Sequence, residues 1–245
     1  MSLQIQMIGT GSAFAKRYYN NNALVYAHGF TLLIDCGVTA PRALYELNIP
    51  SPQIDAILIT HIHADHVGGL EELAFQSQYV HRHRMKLLLP STLIGPLWDH
   101  SLKGGLENKA EGFHSLNDYF EVVPLEPGTP YPLHPDLTLE LLPTEHIPGK
   151  PSYAILMNEK LYYSSDSRFD AERLKEMSAR GVKEIWHDCQ LQGKGMVHAA
   201  LDELMSLPES IQRITRLMHY GDNMTDYIGC TGSMQFIEQH RKYSF

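Results

Sequence analysis

Cysteine is scarce: Cys36, Cys189 and Cys230 are the only three among 245 residues, with no Cys-x-x-Cys spacing. An odd, dispersed set indicates neither a disulfide framework nor a structural thiolate–zinc site, and it fits a reducing compartment, so a cytoplasmic protein is expected. No stretch approaches the ~18 consecutive apolar residues of a membrane helix. The opening Met-Ser-Leu-Gln-Ile-Gln-Met-Ile lacks the charged segment that begins a secretory signal. Positive charge is short as well. Twenty Lys and Arg face 28 Asp and Glu, a formal net charge of −8 with pI ≈ 5.9. A protein that grips a long polyanion presents a basic face, because neutralised phosphates supply most non-specific nucleic-acid affinity. The one basic cluster, His81-Arg-His-Arg84, is short and reads as a solvated helix end or, alternatively, a phosphate or partner contact; long nucleic acid is not expected as a partner. There is also no Pro/Gly/Ser-rich linker, low-complexity tract or repeat, and residues 1–245 are expected to form a single domain.

Against this plain background histidine is concentrated. Residues 56–59 form a short apolar run, the mark of a strand buried on both faces, and His61-x-His63-x-Asp65-His66 follows it directly. If the chain stays extended past Thr60, His61 and His63 point to one side, since side-chain direction repeats every two residues. Asp65 and His66 then fall at the turn into a helix that Gly68-Gly69 and Leu70 announce. Three further polar residues stand after apolar runs: His146 after 137–142, Asp166 after 160–165 and His219 after 213–218.

The remaining pattern alternates strands and helices. Residues 3–8 read as a half-buried strand, and Gly9-Thr-Gly-Ser12 as a turn that needs positive φ. An Asn20-Asn21-Asn22 loop follows. Residues 23–26 and 30–34 form a hairpin over His28-Gly29, and 153–157 and 160–165 another over Asn158-Glu159. Residues 86–89, 121–124, 184–187 and 213–218 are predicted strands. Helices are predicted over 39–47, 69–79, 91–98, 170–179, 198–205 and 234–240, and 100–118 carries little periodicity.

His61-x-His63-x-Asp65-His66 after a buried strand resembles the signature of the metallo-β-lactamase superfamily, most closely its ribonuclease Z and phosphodiesterase branch. That resemblance spans nearly the whole chain. It implies an α/β fold of the four-layer αβ/βα sandwich type, with two mixed sheets face to face and helices outside. It implies that His61, His63 and His146 bind one metal and Asp65, His66 and His219 a second, with Asp166 bridging and Asp35 supporting a ligand histidine without ligating. Imidazole and carboxylate donors suit two divalent ions, zinc first, with Mn²⁺ or Fe²⁺ as alternatives. Such a pair lowers the pKa of a bound water to about 7 and clamps phosphoryl oxygens during displacement. Asp65 can also orient the nucleophile.

His187-Asp188-Cys189 followed by His198 resembles the segment of ribonuclease Z that precedes its last ligand, but Asp188 replaces a glutamate and Cys-Gln replaces Ala-Thr. On residue type His198 is the better general acid, with Asp188 orienting it. Cys189 looks like a small buried residue. Ribonuclease Z carries a long RNA-gripping arm between the third histidine and the bridging aspartate. Here that interval is 20 residues and is filled by a predicted hairpin. The expected activity is therefore hydrolysis of a small phosphodiester, a 3′,5′-cyclic mononucleotide foremost. The alternatives are a ribonuclease Z-like endonuclease, a thioester or lactone hydrolase of the same fold, and, in a different class, a non-catalytic metal-bound interaction protein. Flavo-diiron chemistry normally has a glutamate where this chain has His63. Family members often form homodimers in which loops border the partner's site, and 100–118 is the candidate segment.

Overall fold

The computed structural model describes residues 3–245, and these contain fourteen strands in two seven-stranded mixed sheets. The first half of the chain supplies β1 (Gln4–Met7), β2 (Ala23–Ala27), β3 (Phe30–Ile34), β4 (Ala56–Leu58), β5 (Lys86–Pro90) and β6 (Glu121–Leu125). The second supplies β7 (Tyr131–His134), β8 (Leu137–Thr144), β9 (Ser152–Met157), β10 (Leu161–Tyr163), β11 (Glu184–Asp188), β12 (Thr215–Met218) and β13 (Gln235–Phe236). Finally β14 (Lys242–Ser244) returns to the first sheet beside β1. The orders are β14-β1-β2-β3-β4-β5-β6 and β13-β12-β11-β10-β9-β8-β7. Each sheet opens with antiparallel strands and continues in parallel, over β3 to β6 in one and β10 to β13 in the other.

Local chemistry explains the regular parts. Both predicted hairpins turn over two left-handed residues, His28 (φ 39°) with Gly29 (φ 84°) and Asn158 (φ 51°) with Glu159 (φ 56°). That turn matches the right-handed twist of the strands it joins. Along β4 and its continuation, Ala56 and Leu58 enter the core between the sheets, while Ile57 and Ile59 enter the core beneath the outer helices. One short strand thus serves two hydrophobic layers, as its unbroken apolar run requires. Helices Ala40–Glu46 and Leu70–Phe75 pack into the outer core of the first sheet, and Ala171–Ala179 and Leu201–Met205 into that of the second. The result is the expected αβ/βα sandwich.

Several details differ from the sequence reading. Residues 234–240 are not a helix. Met234 packs in the outer core while Ile237 packs between the sheets, on opposite sides of the second sheet, where a helix would have put both on one side. Strands β7 and β14 went unpredicted, β7 because Pro132 interrupts its pattern and β14 because only Tyr243 of its three residues is buried. The helix expected from His198 begins at Leu201, leaving His198 in the preceding loop. The segment 100–118 is partly helical to Leu106 and is anchored by buried Leu102, Leu106 and Leu116. Gly9 and Gly11 do not have positive φ. Glycine is needed there for space, since a Cβ on Gly9 would lie 2.0 Å from the Asn20 carbonyl oxygen. Among the described residues no helix is long and apolar enough to cross a membrane.

Candidate metal centre

The parallel strands end in one crevice, the place where open α/β sheets collect functional groups. Past β4 the chain runs without regular structure to His63, whose backbone is extended, and turns into the short helix Ala64–Val67, which carries Asp65 and His66. Sheet 2 contributes His146 after β8, Asp166 after β10, Asp188 at the end of β11 and His219 after β12. Three of these strand ends pass through the left-handed region without glycine: Asp35 (φ 59°), Ser165 (φ 51°) and His219 (φ 56°). Each such residue costs on the order of 1–3 kcal/mol, and their clustering at one crevice is the usual sign of a site held against local preference.

All seven predicted donors converge. One group joins His61, His63, His146 and Asp166, and a second joins Asp65, His66, Asp166 and His219, with the donor atoms of each within 4.8 Å of one another. In the first, His63 Nδ1 lies 3.1 Å from His61 Nε2 and 3.2 Å from His146 Nε2. Asp166 Oδ2 lies 3.7 Å from His61 Nε2 and 3.8 Å from His146 Nε2. In the second, Asp65 Oδ2 is 3.3 Å from both His66 Nε2 and His219 Nε2. Asp166 Oδ1 is 3.3 Å from His66 Nε2 and 3.4 Å from His219 Nε2. Four donors about 2.0–2.1 Å from a zinc ion stand about 3.3–3.4 Å apart at the edges of a tetrahedron. The second group has that spacing, at 3.3–3.4 Å, and the first brackets it at 3.1–3.8 Å. His66 Nε2 and Asp166 Oδ1 are moreover fully buried without a hydrogen-bond partner, a cost that a cation between them would remove.

The surroundings aim the donors. Asp35 Oδ2 accepts from His66 Nδ1 at 2.7 Å, and Thr60 donates to the same carboxylate through its N–H and its hydroxyl, both at 2.8 Å. The Val197 carbonyl accepts from His146 Nδ1 at 2.7 Å. In both histidines the outer nitrogen is occupied and Nε2 is left for the crevice. Burial dominates the electrostatics, holding His61 well below the usual imidazole range and lowering His63 and His146. Neutral imidazoles are what a metal requires. His66 goes the other way. Burial opposes its charge, but Asp166, Asp35 and Asp65 together drive it well above its ordinary value. Burial likewise opposes ionisation of Asp65 and Asp166, yet facing histidines hold both low. Two carboxylates thus face the crevice among imidazoles, a donor set that suits divalent cations.

Beside the donors, His198 Nδ1 donates to Asp188 Oδ2 at 2.7 Å and lies 4.0 Å from Asp166. Burial alone would lower His198, but the Asp188 carboxylate outweighs it and the imidazole is pushed up to about 9. His187 turns away, with Nδ1 directed to its neighbour's carbonyl at 2.8 Å, and lines a separate cavity with Tyr162 and Phe169. Cys189 is buried, and burial pushes its thiol up, so no thiolate is at hand. The crevice opens into a cavity of about 670 Å³, lined by His63, Asp65, His146, Asp166, His198 and His219 and by apolar Phe14, Ile147, Leu191 and Val197.

Two supports escaped the sequence reading. Asn22 Oδ1 accepts from Gly37 N–H at 2.9 Å while its Nδ2 donates to the Asp65 carbonyl at 3.4 Å, and Asn21 Nδ2 donates to the Tyr163 hydroxyl at 2.9 Å, so the asparagine loop braces the helix that bears Asp65. Gly37 lets that helix approach, for a Cβ there would lie 1.9 Å from the Asp65 carbonyl oxygen. The asparagine run was a visible signal; the close approach at Gly37 had none.

A family model described as anti-Pycsar protein Apyc1 matches residues 3–243. A protein of that name from Paenibacillus xerothermodurans is 60% identical over 246 residues, covering 100% of this chain and 98% of the relative. Another, from Bacillus phage BSP38, is 46% identical over 252 residues, covering 98% and 97%. Among solved structures, the metallo-β-lactamase fold protein YhfI from Bacillus subtilis superposes with a TM-score of 0.77 at 17% identity, with 100% of each chain covered. The architecture is therefore the metallo-β-lactamase fold.

Proposed function

Because the chain belongs to the family of anti-Pycsar protein Apyc1 and is a metal-dependent hydrolase, we propose that it opens a small phosphodiester, a 3′,5′-cyclic mononucleotide first among them. His61, His63, His146 and Asp166 would hold one divalent ion, and Asp65, His66, Asp166 and His219 the other. Zinc is the proposed occupant, because the donor set is imidazole and carboxylate without thiolate. When bound, the metal pair supplies the Lewis acidity that activates water and offsets charge on the phosphoryl oxygens.

The chain's own residues do the rest. Asp65 orients the attacking water as an acceptor for its proton. One P–O ester bond breaks, and its oxygen leaves as an alkoxide that needs a proton. His198, fixed through Nδ1 by Asp188 at 2.7 Å, carries that proton at Nε2, and a linear nucleoside monophosphate results. The His198–Asp188 pair, 2.7 Å apart and 4.0 Å from the shared Asp166 carboxylate, is the observation that carries the reading, since an alkoxide leaves poorly without protonation. A cavity of about 670 Å³ falls within the ~300–1,000 Å³ of small-ligand sites. The interval between His146 and Asp166 is filled by the β9–β10 hairpin, which supports a small substrate over a long RNA. A homodimer remains part of the proposal on the strength of the family resemblance, and light scattering tests it.

The deciding experiment offers zinc-loaded protein a panel of 3′,5′-cyclic nucleotides, thioesters, β-lactams and a transfer-RNA precursor. Conversion of cyclic nucleotides to monophosphates, abolished in an Asp65→Ala variant of measured metal content, supports the proposal. Turnover of thioesters or RNA in preference to every cyclic nucleotide rejects it.

A further inference from the structure

Phe14 is the most exposed large apolar side chain among the described residues, at 87%. A lone exposed aromatic is ordinary on a protein surface, but the position of this one is not. Its ring lines the same cavity as the metal-centre histidines, alongside apolar Ile147, Leu191 and Val197. The turn that carries it is also held firmly. Ser12 N–H donates to the Tyr220 carbonyl at 3.0 Å, and Ala15 N–H closes back on the Ser12 carbonyl at 3.1 Å. The main-chain N–H groups of Lys16 and Arg17 both donate to the Asp222 carboxylate, at 2.7–3.0 Å. Tyr220 and Asp222 lie one and three residues after His219. The turn is therefore referenced to the metal centre, and a flat apolar face is displayed at a set position in the cavity with nothing packed over it.

Resting on the phosphodiester reading above, we infer that Phe14 is the base-stacking residue of the substrate site. With the cyclic phosphate at the His/Asp donors, the nucleobase lies against the Phe14 ring. Ile147, Leu191 and Val197 complete the apolar part of the enclosure. An aromatic face suits a base because every base presents a π-face, and removing such a ring typically weakens binding by one to two orders of magnitude. Phe14 binds and orients the substrate and takes no part in bond making.

Steady-state kinetics on a 3′,5′-cyclic nucleotide and on the abasic ribose 3′,5′-cyclic phosphate test this with zinc-loaded protein. The wild type prefers the nucleotide. Phe14→Ala raises KM for the nucleotide about tenfold, corresponding to about 1.4 kcal/mol, and changes kcat less than about twofold. The preference over the abasic ester falls by the same factor. Phe14→Tyr restores it, and Tyr45→Ala, an exposed aromatic outside the cavity, leaves it intact. The inference is overturned if folded, metal-loaded Phe14→Ala keeps the wild-type preference, if kcat falls while KM stays, or if the wild type does not discriminate between the esters. A wild type that turns over neither ester removes the underlying phosphodiesterase reading instead, and this inference with it.

Discussion

Asp166 is the one side chain that belongs to both donor groups, and this makes a quantitative prediction about stability. An ion that binds only the folded protein stabilises it by about 2.7 kcal/mol when present at 100 times its dissociation constant, so two such sites add about 5 kcal/mol. For a chain of 245 residues, each kcal/mol moves the thermal midpoint by about 2–4 °C, giving a shift of about 10–20 °C between chelated and zinc-loaded protein. The informative quantity is the shift in each variant, because changes in metal-free stability then cancel. His63 belongs to the first group alone, so His63→Ala should disable one site and keep about half the shift. Asp166→Asn removes the shared carboxylate, whose Oδ2 faces His61 and His146 and whose Oδ1 faces His66 and His219. It should abolish most of the shift, and a metal count by mass spectrometry should fall with it. Scanning fluorimetry with and without chelator reads the difference. If Asp166→Asn retains the wild-type shift, or loses no more than His63→Ala, the shared-donor arrangement is refuted.

Three further outcomes follow from other distances. His198→Ala should lower kcat about 10²–10⁴-fold on a cyclic nucleotide, but much less on bis-p-nitrophenyl phosphate, whose leaving group needs no proton. An equal loss on both esters would contradict the proton-donor role. Asp188→Asn removes the carboxylate that raises His198 to about 9. The donor acts while protonated, so activity declines as pH rises through its pKa, and in the variant that decline should move to lower pH in the kcat profile. Gly37→Ala places a methyl group 1.9 Å from the Asp65 carbonyl oxygen and should cost about 3 kcal/mol or more, with reduced metal uptake. An unchanged denaturation midpoint would show that the helix Ala64–Val67 can retreat freely.

Much of this molecule was legible from its residues, for identifiable reasons. The order of strand and helix signals fitted the sandwich that the family resemblance implied, and the two hairpins announced themselves through the turn residues between their strands. The spacing of His61, His63, Asp65 and His66 placed four donors at one corner, because a strand end and a helix start convert sequence separation directly into direction. Bringing them together with His146, Asp166 and His219 depends on sheet topology, which no local pattern encodes; there the family resemblance supplied the expectation. The C-terminal part was misread because Met234 and Ile237 have helical spacing but pack on opposite sides of a strand. Gly37 and Phe14 were invisible for a different reason. A glycine's closeness to another backbone, and an aromatic's place at a cavity wall, exist only after the layers have met.

The donors divide between the layers. His61, His63, Asp65 and His66 ride on the first sheet, and His146, Asp166 and His219 on the second. The Thr60 and Ser165 hydroxyls meet across the same seam at 2.7 Å. The distance between the sheets is therefore also the gauge of the reaction centre. Side chains that fill the interior, such as Trp186 and Tyr163, act as spacers for chemistry they never touch. A residue swap deep in that interior, silent by every criterion of surface or charge, would retune how tightly the ions are gripped.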